Sequence, residues 1–254
     1  MFDGLVKRFL YWPERIERDC PLPAYISGAR EIWFNADDGN EIHSLYWPAA
    51  KDRPTILFFH GNAQTVFEWA LIRHELQVMD CGLLLVDYPG YGKSSGKPSE
   101  ESLYSCGHAA FKWLTGEGGL ASEEIVIFGK SLGGGVTCEV ARGKKLKGVV
   151  LESTFTSIPA VAKKLLPMLP INFIFKSERY ESINKLPEIS APVLVVHGKR
   201  DDLIPLREGE ALYEKANEPK ELYLVGGAGH NDVAMVAGDE YGFRLRNWLD
   251  SLIP

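Results

Sequence analysis

Five short, predominantly apolar runs recur along the sequence: Thr55-Ile56-Leu57-Phe58-Phe59, Leu83-Leu84-Leu85-Val86, Glu124-Ile125-Val126-Ile127-Phe128, Gly148-Val149-Val150-Leu151 and Pro192-Val193-Leu194-Val195-Val196. A strand with one wet face alternates apolar and polar residues, so unbroken runs require burial on both faces, as in a parallel sheet covered by helices. Stretches of helical character at 65–79, 99–115, 132–142, 206–216 and 239–252 lie between or after them. Such alternation predicts a doubly wound α/β sheet with ligands outside the carboxyl ends of its strands. Two further strands, 29–35 and 41–47, flank Asp37-Asp38-Gly39-Asn40, whose Asp-Gly marks a hairpin turn and so an antiparallel opening. Glu221–Val225 completes a mostly parallel sheet of about eight strands. The apolar, proline-bearing segment 153–190 departs from the alternation and reads as a short inserted lid.

At 254 residues, one α/β domain over 29–254 accounts for most of the chain. Residues 1–28 form a lead-in whose Phe2, Leu5, Val6, Phe9 and Leu10 repeat at helical spacing before Trp12-Pro13. This amphipathic helix is expected to pack on the domain, with a weak membrane-surface contact through residues 2–10 as the sharper alternative. Lys and Arg number 28 against 34 Asp and Glu, and a net charge of −6 disfavours nucleic acid as a partner. Cys20, Cys81, Cys106 and Cys138 form no Cys-x-x-Cys pair, and the N-terminus lacks a secretory pattern. The expectation is a reduced, cytoplasmic protein.

Gly-x-Ser-x-Gly occurs twice, as Gly92-Lys93-Ser94-Ser95-Gly96 and Gly129-Lys130-Ser131-Leu132-Gly133. A nucleophile elbow needs a strand entering a strained turn and a helix leaving it. Only the second copy has both, so Ser131 is the expected nucleophile and 92–96 reads as a flexible loop. A serine hydroxyl needs a base oriented by a carboxylate, in the chain order Ser, acid, His on this kind of scaffold. His230 lies in the glycine-rich loop after the last strand; His197 ends a strand and reads as a turn support. Asp201 follows the 192–196 strand and is the expected acid, with Asp202 and Glu152 as alternatives. For the oxyanion, the loop His60-Gly61-Asn62-Ala63 offers the Asn62 amide, or that of Ala63, beside the amide of Leu132. His60 is expected to brace that loop.

With His60-Gly61-Asn62-Ala63, Asp87-Tyr88-Pro89-Gly90-Tyr91-Gly92-Lys93-Ser94, Gly129-Lys130-Ser131-Leu132-Gly133-Gly134, Glu152-Ser153-Thr154-Phe155-Thr156-Ser157, His197-Gly198-Lys199-Arg200-Asp201 and Gly229-His230, the chain resembles the α/β-hydrolase superfamily. It is similar to the small-lidded branch that includes protein depalmitoylases and prolyl-oligopeptidase-like hydrolases. The resemblance covers about residues 30–250 and implies Ser131 as nucleophile, Asp201 as acid and His230 as base.

The expected activity is cleavage of carboxylic esters or thioesters of small-molecule acyl substrates. A prolyl-oligopeptidase-type peptidase and a non-catalytic binding protein on the same scaffold are the alternatives. Leu169 and Phe173 of the lid are the candidate acyl-pocket residues. No cofactor is expected, since Asp87 stands where a P-loop needs glycine. No metal is expected either, since His74-Glu75 lacks the second histidine of a metalloprotease helix.

Overall fold

A computed structural model describes residues 2–76, 79–166, 168 and 170–252. Its sheet has eight strands in the order β1-β2-β4-β3-β5-β6-β7-β8. The hairpin β1 (Arg30–Asn35) and β2 (Glu41–Trp47) turns at Gly39, in the left-handed region at φ 84°, and β2 joins β4 (Gly82–Val86) antiparallel. The remaining pairs, among β3 (Thr55–Phe59), β4, β5 (Ile125–Lys130), β6 (Gly148–Glu152), β7 (Val193–Gly198) and β8 (Lys220–Val225), are parallel. The doubly wound α/β architecture expected from the apolar runs is therefore present. Because β3 lies between β4 and β5, strand order reverses there, and the loops leaving β3 and β5 part to open a crevice at their carboxyl ends.

Helices cover both faces. The helix α1 (Phe2–Leu10) precedes the hairpin. The stretch 65–79 is not one helix but two short ones, α2 (Val66–Trp69) and α3 (Ile72–Leu76). Val66, Phe67 and Ala70 are buried on one stripe, whereas the next positions on that stripe, Arg73 and His74, are exposed, and Ile72 and Leu76 are buried instead. A single straight helix cannot bury both stripes, so the chain breaks between them. On the opposite face α4 (Glu100–Thr115) and α5 (Leu132–Ala141) contribute Leu103, Cys106, Val136 and Cys138 to the core.

The described residues between β6 and β7 include the short α-helices α6 (Ile158–Leu165), α7 (Ile171–Ile174) and α8 (Ser182–Lys185). Much of this segment is anchored in the core: Tyr180, Leu186 and Ile189 are fully buried. The helix α9 (Leu206–Lys215) follows β7, and α10 (Val233–Ala237) and α11 (Asp239–Ser251) follow β8. Trp248 and Leu249 of α11 pack on the same face as α2 and α3. Among the described residues, no helix is long and apolar enough to cross a membrane.

Candidate active site

The strand β5 runs two residues beyond its apolar run, to Lys130, and delivers Ser131 into a turn at φ 52° and ψ −117°. A non-glycine residue in that region is strained and persists only where its surroundings over-determine it. The Ser131 N–H donates to the Glu152 carbonyl at 2.9 Å. The Ser131 carbonyl accepts from Gly134 N–H at 3.0 Å and from Thr154 Oγ1 at 2.7 Å. The helix α5 can start this close to β3 because residue 133 is glycine: a Cβ there would collide with the Phe59 carbonyl oxygen.

Two loops at the same edge bring in the other polar groups. After β8 the turn Gly226–Asp232 is closed by Gly229 N–H donating to Asp232 Oδ1 at 2.6 Å, and it presents His230. After β7 the turn at Asp201 is fixed because its Oδ1 accepts from the amides of Leu203 at 3.0 Å and Ile204 at 2.7 Å. The Arg200 N–H donates to the Ala228 carbonyl at 2.8 Å and ties the two loops together. The result is a line of hydrogen-bonding distances: Asp201 Oδ2 to His230 Nδ1 at 2.8 Å, and His230 Nε2 to Ser131 Oγ at 3.0 Å. With Nδ1–H donating to the carboxylate, Nε2 is the lone-pair nitrogen facing the hydroxyl. The Asp201 side chain is fully buried while that of His230 keeps an 11% exposed edge.

Across from Ser131 lies the loop after β3. A Cβ built on Gly61 would sit 3.5 Å from the Ser131 Cβ and 3.5 Å from the Trp69 ring, so this glycine lies directly against the serine. Of the two candidate amides in this loop, the Ala63 N–H donates to the side-chain oxygen of Asn62 at 2.9 Å. His60 is buried with Nδ1 2.7 Å from the Gly61 carbonyl, and burial holds its pKa below the ordinary histidine range. It is thus a neutral brace packed on Tyr88, with 4.4 Å between ring centroids.

Residues 54–180 match the family model described as the alpha/beta hydrolase fold. A Mycobacterium tuberculosis protein named only as uncharacterised is 33% identical over 237 residues, which span 91% of this chain and 83% of that one. The chain belongs to the α/β-hydrolase family. Mouse alpha/beta hydrolase domain-containing protein 17C is 35% identical over 207 residues, 81% of this chain and 62% of its own length. An esterase of Pyrococcus furiosus superposes with a TM-score of 0.76 at 20% identity, over 95% of this chain and 98% of that one, a likeness of fold.

On this α/β-hydrolase frame the alternatives separate. The carboxylate on His230 is that of Asp201, whereas the Glu152 carboxylate accepts from Tyr241 Oη at 2.6 Å and pairs with Lys130 Nζ at 2.8 Å. Asp202 is exposed. Ser94 is not in a flexible loop: fully buried, its Oγ donates to the Asp87 carbonyl at 2.8 Å and accepts from His43 N–H at 2.9 Å. The 92–96 copy of Gly-x-Ser-x-Gly thus sets a buried serine against Asp87, remote in role from the elbow. His197 Nε2 lies 2.9 Å from the Ile204 carbonyl, in keeping with turn support. Leu169 lies outside the described residues, and Phe173 falls within α7 with its side chain likewise outside them.

Sequence reasoning missed Thr154 and the pairing of Lys130 with Glu152. The second had a signal: a lysine that follows an apolar strand into a tight turn requires a carboxylate partner, and Glu152 ends the neighbouring strand. Among the described residues no group of three or more His, Cys, Asp or Glu is placed to hold a metal ion.

Proposed function

We propose that this chain is a serine hydrolase that cleaves carboxylic esters or thioesters through an acyl-enzyme on Ser131. The observation carrying the reading is the unbroken Ser131–His230–Asp201 line, at 3.0 and 2.8 Å, at the carboxyl edge of the sheet. Ser131 Oγ attacks the acyl carbon while His230 Nε2 takes its proton, and Asp201 holds the imidazole in the required tautomer. The carbonyl oxygen becomes an oxyanion that accepts from the Asn62 and Leu132 amides. Collapse of the tetrahedral intermediate expels the alcohol or thiol, which receives the proton from His230. Water, deprotonated by His230, then attacks the acyl-enzyme and releases the acid and Ser131.

The segment between β6 and β7 supplies the acyl wall in this reading, with Leu169 and Phe173 as its candidate side chains. The esterase among the structural neighbours supports the same reaction class.

The test is a panel of acyl esters of graded chain length beside peptide anilides, with the fluorophosphonate-labelled residue identified by mass spectrometry. Each buried methylene contributes about 0.8 kcal/mol, so two carbons raise kcat/KM roughly tenfold until the pocket is filled. The expected result is label on Ser131 and a rise from acetyl to an acyl chain of about four to ten carbons. A flat chain-length response with efficient cleavage of a proline anilide overturns the ester reading in favour of a peptidase.

A further inference from the structure

The loop carrying the Asn62 amide turns through two consecutive non-glycine residues in the left-handed region, Ala63 at φ 59° and Gln64 at φ 63°. Such a turn does not hold its shape by itself and needs external bonds to define it. Those bonds converge on one side chain. Asn62 Oδ1 accepts from Ala63 N–H at 2.9 Å, Tyr91 Oη at 2.7 Å and the backbone N–H of Trp12 at 3.1 Å. Its Nδ2 donates to the Leu10 carbonyl at 2.7 Å. Two of the four partners therefore belong to the end of α1 and the chain just after it, some fifty residues away in sequence.

That N-terminal strap is itself pinned at the residue between the two contacts. Tyr11 is buried, with its hydroxyl donating to the Glu178 carboxylate and 2.7 Å from the Tyr180 hydroxyl. Glu178 is buried as well; it accepts from Glu100 N–H at 2.7 Å and pairs with Lys7 Nζ at 3.4 Å. Residues 10–12 thus join the inserted segment between β6 and β7 on one side to the Asn62 loop on the other.

We infer that the N-terminal strap, residues 10–12, positions the oxyanion-binding amide of the site by gripping the Asn62 side chain, with Tyr11 as the anchor that sets the strap. Asn62 acts in two parts: its backbone N–H faces the reacting carbonyl, and its side chain is the positioning group through which the strap reaches that N–H. This rests on the serine-hydrolase reading, because it assigns the strap a share in stabilising the oxyanion of that reaction. Donors placed for a developing oxyanion act on the transition state and not on the ground state, so loosening the strap lowers kcat and leaves KM in place.

The experiment compares wild type, Asn62→Ala, Tyr11→Phe, the double variant and Tyr91→Phe on one acyl ester. Rates are expressed per fluorophosphonate-labelled site, so that loss of folded protein does not count as loss of rate. An inhibition constant for a trifluoromethyl ketone, which forms a tetrahedral adduct, is measured for each. Removing a single oxyanion donor lowers kcat by about 10²–10³, and a misaligned one falls short of that. The expected results are a kcat lower by roughly 30- to 100-fold in Asn62→Ala and about three- to tenfold in Tyr11→Phe and Tyr91→Phe, with KM within about twofold. Ketone affinity falls in parallel with kcat. Because Tyr11 acts through Asn62, its substitution adds nothing in the Asn62→Ala background. Should Asn62→Ala fail to fold, Tyr91→Phe carries the same comparison, with Tyr11→Phe non-additive upon it. Ser131-dependent turnover with additive effects, or with kcat per labelled site unchanged, overturns this inference alone. Turnover that survives Ser131→Ala overturns the hydrolase reading beneath it.

Discussion

The Lys130 ammonium stands 2.8 Å from the Glu152 carboxylate, on paired residues of β5 and β6, and the next residue along β5 is Ser131. Glu152 therefore grips the elbow twice, by its carbonyl on the Ser131 amide and by its side chain on Lys130. Burial alone would lower the Lys130 pKa, but the Glu152 carboxylate, with Glu75 further off, holds it above the ordinary lysine value. A raised lysine pKa contributes stability that is fully present below the unfolded value near ~10.4 and is lost as pH rises through the folded one.

Removing one partner of this pair leaves a buried charge alone. Lys130→Met is expected to destabilise the fold by about 3–5 kcal/mol in urea titration. The double variant Lys130→Met/Glu152→Gln, which keeps an acceptor for Tyr241, is expected to recover most of that loss. A double variant no more stable than Lys130→Met would show that packing of the lysine stem, and not charge pairing, holds the elbow.

Asp201→Asn keeps the two amide contacts to Oδ1 but loses the acceptor that fixes the His230 tautomer. A loss of about 10⁴ in kcat is expected with thermal stability retained. Asp202→Asn, at an exposed position, is expected to change kcat by less than about twofold, since exposed side chains outside the hydrogen-bonded line contribute little. A rate that is indifferent to Asp201 but falls with Glu152→Gln in a folded protein would move the acid to β6.

The frame of this site is legible in residue type: unbroken apolar runs become buried parallel strands, and glycines flank Ser131 because the helix α5 starts against β3. What escapes is whatever depends on backbone groups. The Asn62 side chain meets the Leu10 carbonyl and the Trp12 amide, groups every residue except proline carries in full, so no residue pattern announces the contact. The break between α2 and α3 is hidden for another reason, since it depends on which of two apolar stripes the sheet can cover. The sequence around Ser94 reads as a flexible loop because glycine and serine suit both open loops and buried turns, and only the partners of Ser94 distinguish them.

Ser131 and Ser94 share a sequence pattern but not an environment. Ser131→Ala is expected to abolish fluorophosphonate labelling and lower ester turnover by several powers of ten. Ser94→Ala removes a buried hydroxyl that satisfies the Asp87 carbonyl and the His43 amide, so a destabilisation of about 1–3 kcal/mol is expected with labelling intact. Exchange of the two labelling outcomes would place the nucleophile at 94.

Away from the site, Glu139 of α5 is one carboxylate through which the fold responds to acid. His108, Lys185 and Arg142 push its carboxyl down to about 2, with Lys185 Nζ the nearest at 2.8 Å. The folded pKa is depressed, so the charged form stabilises the protein: the contribution is complete above the ordinary value of 4.5 and disappears as pH falls toward about 2. Because Glu139 is only partly buried, solvent screening keeps this contribution modest. In Glu139→Gln the side chain no longer titrates, so its melting temperature is expected to lie below that of wild type at pH 6 and to converge with it between pH 4.5 and about 2. Parallel melting curves for the two proteins across that window would mean that Lys185 and Arg142 find other partners once the carboxylate is gone.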